Sequence, residues 1–392
     1  MVYSTNRNKN QEFFLLTFSL SSLFFLSPIA SVIISFFLMT YRSSEVNYIV
    51  LFAFFSCLSL SLINSGKVPE NDLLNYQDRF FLVPQIPFLQ YAILMGKEPI
   101  YFIYSYILFY LTFGNFKLFL FLTSFASYFL VSLSYIKIFK TLNLGFKSIV
   151  YGLLTFFLFS NLFSLSAHLI RQFLASSIVL VVLINIAYLN KQRLFLFLNG
   201  VLIHSSAIIF TPAYLLSKNS SKKRFSLILT AFSIIFLTIT QGSKFFLNIL
   251  PDIEFLKYPF ARIAYRKVYV NLGDLGFLNY LVIVFNIIIF YLFSNINWRT
   301  RILTFASILI LIVTLSFYND SEIPMRISFY AYLLLPLSIM YSYSLIKKST
   351  FKEIIYLSFL IFIGLQFLLR LKFGSWTYEN LDSLLIGILS FV

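Results

Sequence analysis

The residues that could do chemistry cluster around one short stretch of an otherwise apolar chain. Residues 166–175 read Ser-Ala-His-Leu-Ile-Arg-Gln-Phe-Leu-Ala, which places His168 and Arg171 between two apolar runs. The second histidine of the chain, His204, lies in the next apolar run. An arginine at the centre of a membrane helix costs about 2.5–3.5 kcal/mol on insertion scales. The stretch therefore predicts either a buried partner or a functional role for Arg171.

The composition indicates a membrane protein. Of the 392 residues, 59% are hydrophobic and 11% are charged, whereas an average soluble domain has about 25% charged residues. Apolar runs recur along the chain, with lengths of roughly 17–25 residues that suit membrane-spanning α-helices. We expect an all-α, polytopic integral membrane protein with about ten to twelve transmembrane helices. We also expect a single domain over residues 1–392.

The charge distribution excludes several classes of protein. The chain has 30 Lys and Arg residues against 14 Asp and Glu residues. Most basic residues form short clusters between apolar runs, as the positive-inside rule requires, so nucleic acid is not an expected partner. One cysteine and two histidines argue against a metal site, and no cofactor is expected. The later apolar runs have almost no internal carboxylates, which argues against a cation-coupled transporter.

Three basic clusters in the second half of the chain are predicted to be cytoplasmic. The loops 242–275 and 319–326 then face the outside. The sequence does not fix the side of loop 64–98, and we assign it to the outer face as well. Loop 242–275 is basic and rich in aromatic residues although it lies on the outer side. This composition indicates either an anionic ligand or anchoring to phospholipid headgroups.

The apolar run 194–216 presents a conflict, because the basic clusters on both sides of it are predicted to be cytoplasmic. It contains Asn199-Gly200, His204 and Thr211-Pro212. Such breakers and polar groups are typical of a broken or re-entrant helix that lines a cavity. We expect this arrangement. The alternative is a plain crossing with one basic cluster on the unexpected side.

Arginines at predicted outer helix ends are candidates for binding a diphosphate, and they are Arg171, Arg262, Arg266, Arg326 and Arg370. A guanidinium stays charged and pairs bidentately with phosphate oxygens, so several together would stabilise a diphosphate leaving group. Each arginine could instead anchor a lipid headgroup. His204 has the chemistry of a general base near neutral pH. The alternative is a hydrogen bond from His204 to a serine or threonine on a neighbouring helix.

Four short elements of the sequence carry a family resemblance. In chain order they are Asp72-x3-Tyr76, Glu98-Pro99-x-Tyr101, Ile170-Arg171-Gln172-x2-Ala175 and His204-Ser205-Ser206-Ala207. Their order and spacing resemble the EpsG-like family, relatives of the Wzy-type O-antigen and exopolysaccharide repeat-unit polymerases. A Gly-Thr-Asp-Tyr element of that family is present only as Glu70-Asn71-Asp72-Leu73.

The resemblance implies a membrane glycosyltransferase of the bacterial inner (cytoplasmic) membrane. Such an enzyme moves a growing glycan from undecaprenyl diphosphate onto an incoming lipid-linked repeat unit at the outer face. The expected partners are the undecaprenyl-diphosphate-linked oligosaccharide, membrane lipids and a chain-length regulator protein. The alternatives are a lipid-linked oligosaccharide flippase or other transporter, and an O-antigen ligase. Ligases of that kind carry a large outer loop with histidine, and the largest predicted loops here contain none.

The resemblance and the residue chemistry together assign roles to individual residues. The predicted catalytic residues are Arg171, His204 and Arg326. The predicted substrate-binding residues are Gln172, Arg262, Tyr265, Arg266, Asp72, Tyr76, Glu98 and Tyr101. Among them, Asp72 and Glu98 are alternatives to His204 as the base, and the tyrosines could stack on sugars.

Overall fold

The structure is a computed structural model. It describes residues 2–94, 98–189, 191–215, 230–235, 238, 276–317, 322–347, 349–374, 377–379, 381–382 and 384. Side chains of residues 2–10, 93, 94 and 322 are outside this description. The predicted outer loop 242–275, with Arg262, Tyr265 and Arg266, lies outside the described residues.

The described chain consists of α-helices joined by short turns and 3-10 segments. In chain order they are α1 (Val2–Leu26), α2 (Pro28–Tyr41), α3 (Val46–Ser65), α4 (Asp72–Phe81), α5 (Phe88–Leu94), α6 (Pro99–Leu111), α7 (Phe116–Thr141), α8 (Phe146–Leu158), α9 (Ser160–His168), α10 (Ile170–Leu189), α11 (Leu194–Ile203), α12 (Thr211–Leu215), α13 (Gly276–Ser294), α14 (Arg301–Ser316), α15 (Glu322–Leu345) and α16 (Thr350–Phe373). The predicted loop 64–98 thus contains α4 and α5.

Seven helical segments of the described chain are long and apolar enough to cross a membrane. They are α3, α7, α10, α13, Trp298–Ser316, Ile323–Leu345 and α16. The pair α8 and α9 is bent by 51°, and it brings the number to eight if the pair forms one span. The prediction of an all-α, multi-pass membrane protein is confirmed. The expected ten to twelve spans concerned the whole chain, part of which is not described.

The chain divides into two compact units. The first contains residues 1–178, 202–204 and 348–392, and the second contains residues 179–201 and 205–347. In the first unit, α3 packs along α7 and α2, and α16 packs on α8 and α9. In the second unit, α13, α14 and α15 pack against one another. The prediction of a single domain stays a prediction.

The second unit is held together partly by buried polar contacts between its helices. The Asn286 side chain donates to the Ala331 carbonyl (2.8 Å) and accepts from Ser338 Oγ (2.6 Å). The Tyr188 hydroxyl lies 2.5 Å from that of Tyr341 and 3.1 Å from Thr300 Oγ1. Apolar helices gain little from packing against one another in lipid, so such hydrogen bonds help to set their register.

The run 194–216 is broken, as the sequence predicts. Helix α11 ends at Ile203, His204 is not helical, a 3-10 segment follows over Ser205–Phe210, and α12 begins at Thr211. Pro212 is the second residue of α12, a position where a missing backbone N–H removes no helical hydrogen bond. The break therefore takes His204 out of a regular helix, while its side chain stays buried.

Two further breaks lie in the stretch 158–170, between the two apolar runs that flank His168 and Arg171. The chain is helical there as α9, with breaks at Phe159 and at Leu169. Ser166 of α9 accepts a hydrogen bond from Asn64 Nδ2 (2.9 Å), and its hydroxyl lies 2.6 Å from that of Tyr128. These contacts to α3 and α7 fix α9, so that α10 begins directly before Arg171.

The segment after α16 pairs with the turn that follows α3. Val68 N donates to the Thr377 carbonyl (3.0 Å), and Glu379 N donates to the Gly66 carbonyl (2.7 Å). Lys67 and Tyr378 form an antiparallel bridge between these two hydrogen bonds. As a result, the Lys67 side chain is almost completely buried.

Burial gives Lys67 a testable pH dependence. Desolvation lowers the pKa of Lys67 from 10.5 to about 7, even though the charge of Glu70 acts in the opposite direction. Between these two values the unfolded chain binds more protons than the folded chain, so the stability of the fold rises with pH. We expect Lys67→Met to abolish this rise, measured as the unfolding temperature in detergent at about pH 7 and about pH 10.

Lys140→Met, at an exposed position, is the control and should keep the wild-type slope of stability against pH. An unchanged slope in Lys67→Met would contradict the prediction.

Candidate functional site

An ion pair and a histidine form the centre of the candidate site in the first unit. Arg171 Nη1 donates a hydrogen bond to Glu98 Oε2 at 2.6 Å. The other carboxylate oxygen, Glu98 Oε1, lies 3.9 Å from His204 Nε2. The exposed fractions of the three side chains are 18% for Arg171, 8% for Glu98 and 10% for His204. Charged and titratable side chains from three distant parts of the sequence thus meet in a nearly buried place.

Each of these three side chains lies at a helix end or a helix break. Glu98 is the residue before α6, and Pro99 occupies the first helical position, where proline is favoured. Arg171 is the second residue of α10, after the break at Leu169. His204 follows the last residue of α11. The places where these helices begin and end therefore position the three side chains of the site.

A hydrophobic cluster of the first unit brings the three segments together. Its buried members include Ile170 and Ile203, the neighbours of Arg171 and His204 in sequence. Leu73 and Phe80 of α4 and Tyr101 of α6 belong to the same cluster. Burying apolar side chains contributes roughly 25 cal/mol for each Å² removed from water. This packing offsets the cost of placing a charged pair beside it.

Two tyrosines flank the guanidinium of Arg171. Its Cζ atom lies 4.6 Å from the ring centroid of Tyr76 and 5.5 Å from that of Tyr101. The two ring centroids are 6.0 Å apart, with an angle of 57° between the planes. A cation beside aromatic rings is stabilised by about 0.5–2 kcal/mol, with the larger values at desolvated sites. The tyrosines therefore hold Arg171 in place independently of Glu98.

Arg171 has donors left for a ligand. A guanidinium has five N–H groups in a fixed fork. Arg171 Nε is buried, and in the described part of the chain no hydrogen-bond partner contacts it. A buried donor without an acceptor costs about 1–3 kcal/mol, so it marks a place where an anion would be stabilised.

The remaining predicted residues are placed as follows. Gln172 is buried beside Arg171 in α10, and Asp72 is half-buried at the start of α4, one turn before Tyr76. Arg326 lies in α15 of the second unit. Arg262, Tyr265 and Arg266 lie outside the described residues. Roles for these residues in the site stay predictions.

The sequence does not predict that Glu98 and Arg171 pair. It makes Glu98 a candidate base for the acceptor hydroxyl and Arg171 a candidate for binding the diphosphate, as separate functions. The sequence does indicate that each residue lies at a helix start, because Glu98 precedes Pro99 and Arg171 begins a long apolar run. The contact between the two helix starts depends on the tertiary packing of the hydrophobic cluster, which a local sequence pattern does not contain.

No group of three or more His, Cys, Asp or Glu side chains that could hold a metal ion is present within the described ranges. The polar groups that face the site are the guanidinium, the carboxylate, the imidazole and the two phenols. Together they can bind an anion, accept a proton and stack on a planar or cyclic ligand. The expectation that no cofactor is needed is not tested by this geometry.

Fold and site together define a multi-pass α-helical membrane protein with an arginine–carboxylate–imidazole cluster in one half. The chain matches the model of the EpsG family over residues 50–380. It belongs to the EpsG family, and this confirms the resemblance seen in the sequence motifs. The family is associated with polysaccharide biosynthesis and with polymerase activity of the glycosyltransferase type. Comparisons with curated proteins and with solved structures found no match.

Removing one member of the buried pair should destabilise the protein more than removing both. Arg171→Met leaves the Glu98 charge buried without its partner, which typically costs about 3–5 kcal/mol. The double variant Arg171→Met/Glu98→Gln has no uncompensated charge, so we expect it to recover most of that loss. The measurement is the unfolding temperature of the purified protein in detergent.

The control for this prediction is the exposed pair of Arg42 and Glu12, whose atoms are 3.2 Å apart. Exposed pairs contribute about 0–1 kcal/mol, so Arg42→Met should change the unfolding temperature little. Equal losses in the single and double variants at the buried pair would contradict the prediction, because removing the unpaired charge of Glu98 would then restore no stability.

Proposed function

We propose that the protein is a polysaccharide polymerase of the Wzy type in the bacterial inner membrane. It transfers a growing glycan from undecaprenyl diphosphate to a hydroxyl of an incoming lipid-linked repeat unit at the outer face. The observation that carries this proposal is the meeting of Arg171, Glu98 and His204 in one buried cluster, with Tyr76 and Tyr101 beside Arg171. Family membership supports the reaction class.

The reaction forms one bond and breaks one bond. The acceptor hydroxyl oxygen attacks the anomeric carbon of the donor sugar and loses its proton to the imidazole of His204. The bond between that carbon and the diphosphate oxygen breaks, and its electron pair leaves with undecaprenyl diphosphate. A positioned base typically contributes about 10²–10⁴-fold to the rate of such a step.

Arg171 stabilises the leaving diphosphate. Its charge persists at every physiological pH, and its remaining donors match the geometry of phosphate oxygens. In a buried site this interaction is stronger than in water, because fewer solvent dipoles screen it. Arg326, Arg262 and Arg266 are proposed separately as diphosphate-binding residues.

The aromatic side chains bind the sugars. Tyr76 and Tyr101 offer apolar ring faces with polar hydroxyls at their edges, which suits the apolar faces and hydroxyls of a sugar ring. In this proposal Gln172 and Asp72 also contact the oligosaccharide, and Tyr265 is a separate proposed substrate-binding residue. A chain-length regulator protein is the proposed protein partner.

A flippase or a ligase would have to use the same cluster differently. A flippase would use Arg171 along a translocation path, and a proton-coupled one could also use Glu98 and His204 as a proton relay. An O-antigen ligase would use the same leaving group with another acceptor. Family membership favours an enzyme over a transporter, and the products distinguish a polymerase from a ligase.

The polysaccharide profile of a deletion strain tests the function. Loss of a polymerase should leave lipopolysaccharide that carries single repeat units instead of a ladder on a gel. Loss of a flippase should leave lipid-linked units facing the cytoplasm, and loss of a ligase should leave polymer on the lipid carrier. Either of the last two results would overturn the proposal.

Complementation of that strain tests the site. We expect Arg171→Ala to be expressed in the membrane but to restore no ladder, since losing one leaving-group contact costs about 10²–10³-fold in rate. Arg42→Ala removes a guanidinium from an exposed pair and should restore the full ladder. A full ladder with Arg171→Ala would refute the role given to Arg171.

A further inference from the structure

We propose that the Glu98 carboxylate takes part in both steps of the reaction, first as the partner of Arg171, which binds the leaving diphosphate, and then as the partner of His204, which activates the acceptor. It pairs with Arg171 before the donor binds, and the lipid diphosphate displaces it toward His204. Donor binding thereby prepares the base that activates the acceptor. This inference rests on the proposed function and adds an order of events to it, with Glu98 as a positioning residue.

The first observation is that Glu98 occupies the place an anion would take on Arg171. The contact of 2.6 Å is a short, charge-assisted hydrogen bond. Carboxylate and phosphate oxygens bind the same guanidinium donors with similar geometry. A diphosphate therefore cannot make its full set of contacts with Arg171 while Glu98 keeps its own.

The second observation is the distribution of the two carboxylate oxygens. Oε2 contacts Arg171 and Oε1 faces His204 Nε2 at 3.9 Å. A small rotation of the side chain would convert the longer distance into a hydrogen bond. Although Glu98 occupies the N-cap position of α6, its side chain makes no capping hydrogen bond there. The helix start does not hold the carboxylate on Arg171.

The third observation is that Arg171 is fixed from its other sides. Tyr76 and Tyr101 flank the guanidinium, and α10 begins one residue earlier. When a diphosphate approaches, its negative charge repels the Glu98 carboxylate within a poorly screened site. The arginine is held by the rings, so the carboxylate is the group that moves.

The displaced carboxylate has a defined effect on His204. A carboxylate that accepts a hydrogen bond from one ring nitrogen fixes the tautomer and the orientation of the imidazole. The other ring nitrogen is then an acceptor for the hydroxyl proton, and the carboxylate stabilises the imidazolium that forms. Donor binding thus adds this orienting contact to His204.

Binding of a lipid diphosphate to the purified full-length protein tests this exchange. The probe is farnesyl diphosphate, and its affinity is measured in detergent. Glu98→Gln removes the competing charge but keeps the shape, so we expect about tenfold tighter binding, within the usual range of coupling between sites. The same variant should form no polymer in the complementation strain, because His204 loses its orienting carboxylate.

A purely structural ion pair predicts the opposite result. Without its partner, Arg171 would be misplaced, and Glu98→Gln would bind farnesyl diphosphate more weakly. Weaker or unchanged binding by Glu98→Gln would overturn the shared-carboxylate inference. The control is Glu379→Gln, which removes a carboxylate from an exposed pair with Lys117 and should change neither readout.

A second variant keeps the test informative if Glu98→Gln does not fold. His204→Phe removes the alternative partner of Glu98, so the carboxylate should stay on Arg171 and farnesyl diphosphate should bind severalfold more weakly. In the Glu98→Gln background the same change should have no effect on binding, which a double-mutant cycle would show. Binding of farnesyl diphosphate unaffected by His204→Phe in the wild-type background would overturn the inference.

The outcomes separate this inference from the proposed function. If the wild type binds farnesyl diphosphate and Arg171→Ala does not, the diphosphate role of Arg171 stands whatever Glu98→Gln does. If the wild type and Arg171→Ala bind the probe equally, the role of Arg171 fails, and the inference fails with it. Tighter binding by Glu98→Gln together with a normal ladder would refute the positioning role.

Discussion

The buried pair of Glu98 and Arg171 is the constraint on which the organisation of the first unit depends. Removing either charge from water is costly, and the cost is recovered only when both partners are fixed in good geometry. Glu98 precedes a proline-initiated helix, and Arg171 follows a break in the chain. A shared apolar cluster then holds both helix starts together. The helix starts at these two residues therefore allow Glu98 and Arg171 to come within hydrogen-bonding distance.

Much of the fold was predictable, because membrane helices depend on long local patterns. The spans α3, α7 and α10 follow directly from apolar length, and the break at His204 follows from the glycine, proline and polar residues around it. The bend at Phe159 was not predicted, because it depends on distant partners. Asn64 and Tyr128 fix α9 through Ser166, and no breaker residue marks the bend in the sequence.

The candidate site was predictable residue by residue, but its connections were not. Family motifs identified Glu98, Arg171 and His204 separately, since each carries a recognisable chemical type at a fixed spacing. Their distances of 2.6 and 3.9 Å depend on tertiary packing. The pairing of the two tyrosines with Arg171 also arises only when α4, α6 and α10 meet. Sequence patterns identify the single residues of such a site, whereas long-range packing determines which of these residues contact one another.

The charge balance of the cluster favours a diphosphate that replaces Glu98 on Arg171 over a diphosphate that binds to an unpaired Arg171. Glu98 and Arg171 cancel each other, so the cluster can be buried without a net charge on the pair. Binding a diphosphate to a lone buried arginine would require that arginine to remain uncompensated between turnovers, at a cost of several kcal/mol. A carboxylate that moves away only when phosphate oxygens replace it keeps Arg171 paired throughout. His204, 3.9 Å away, is the group in this cluster that can accept the displaced carboxylate, and this links the stability of the fold to the order of the reaction.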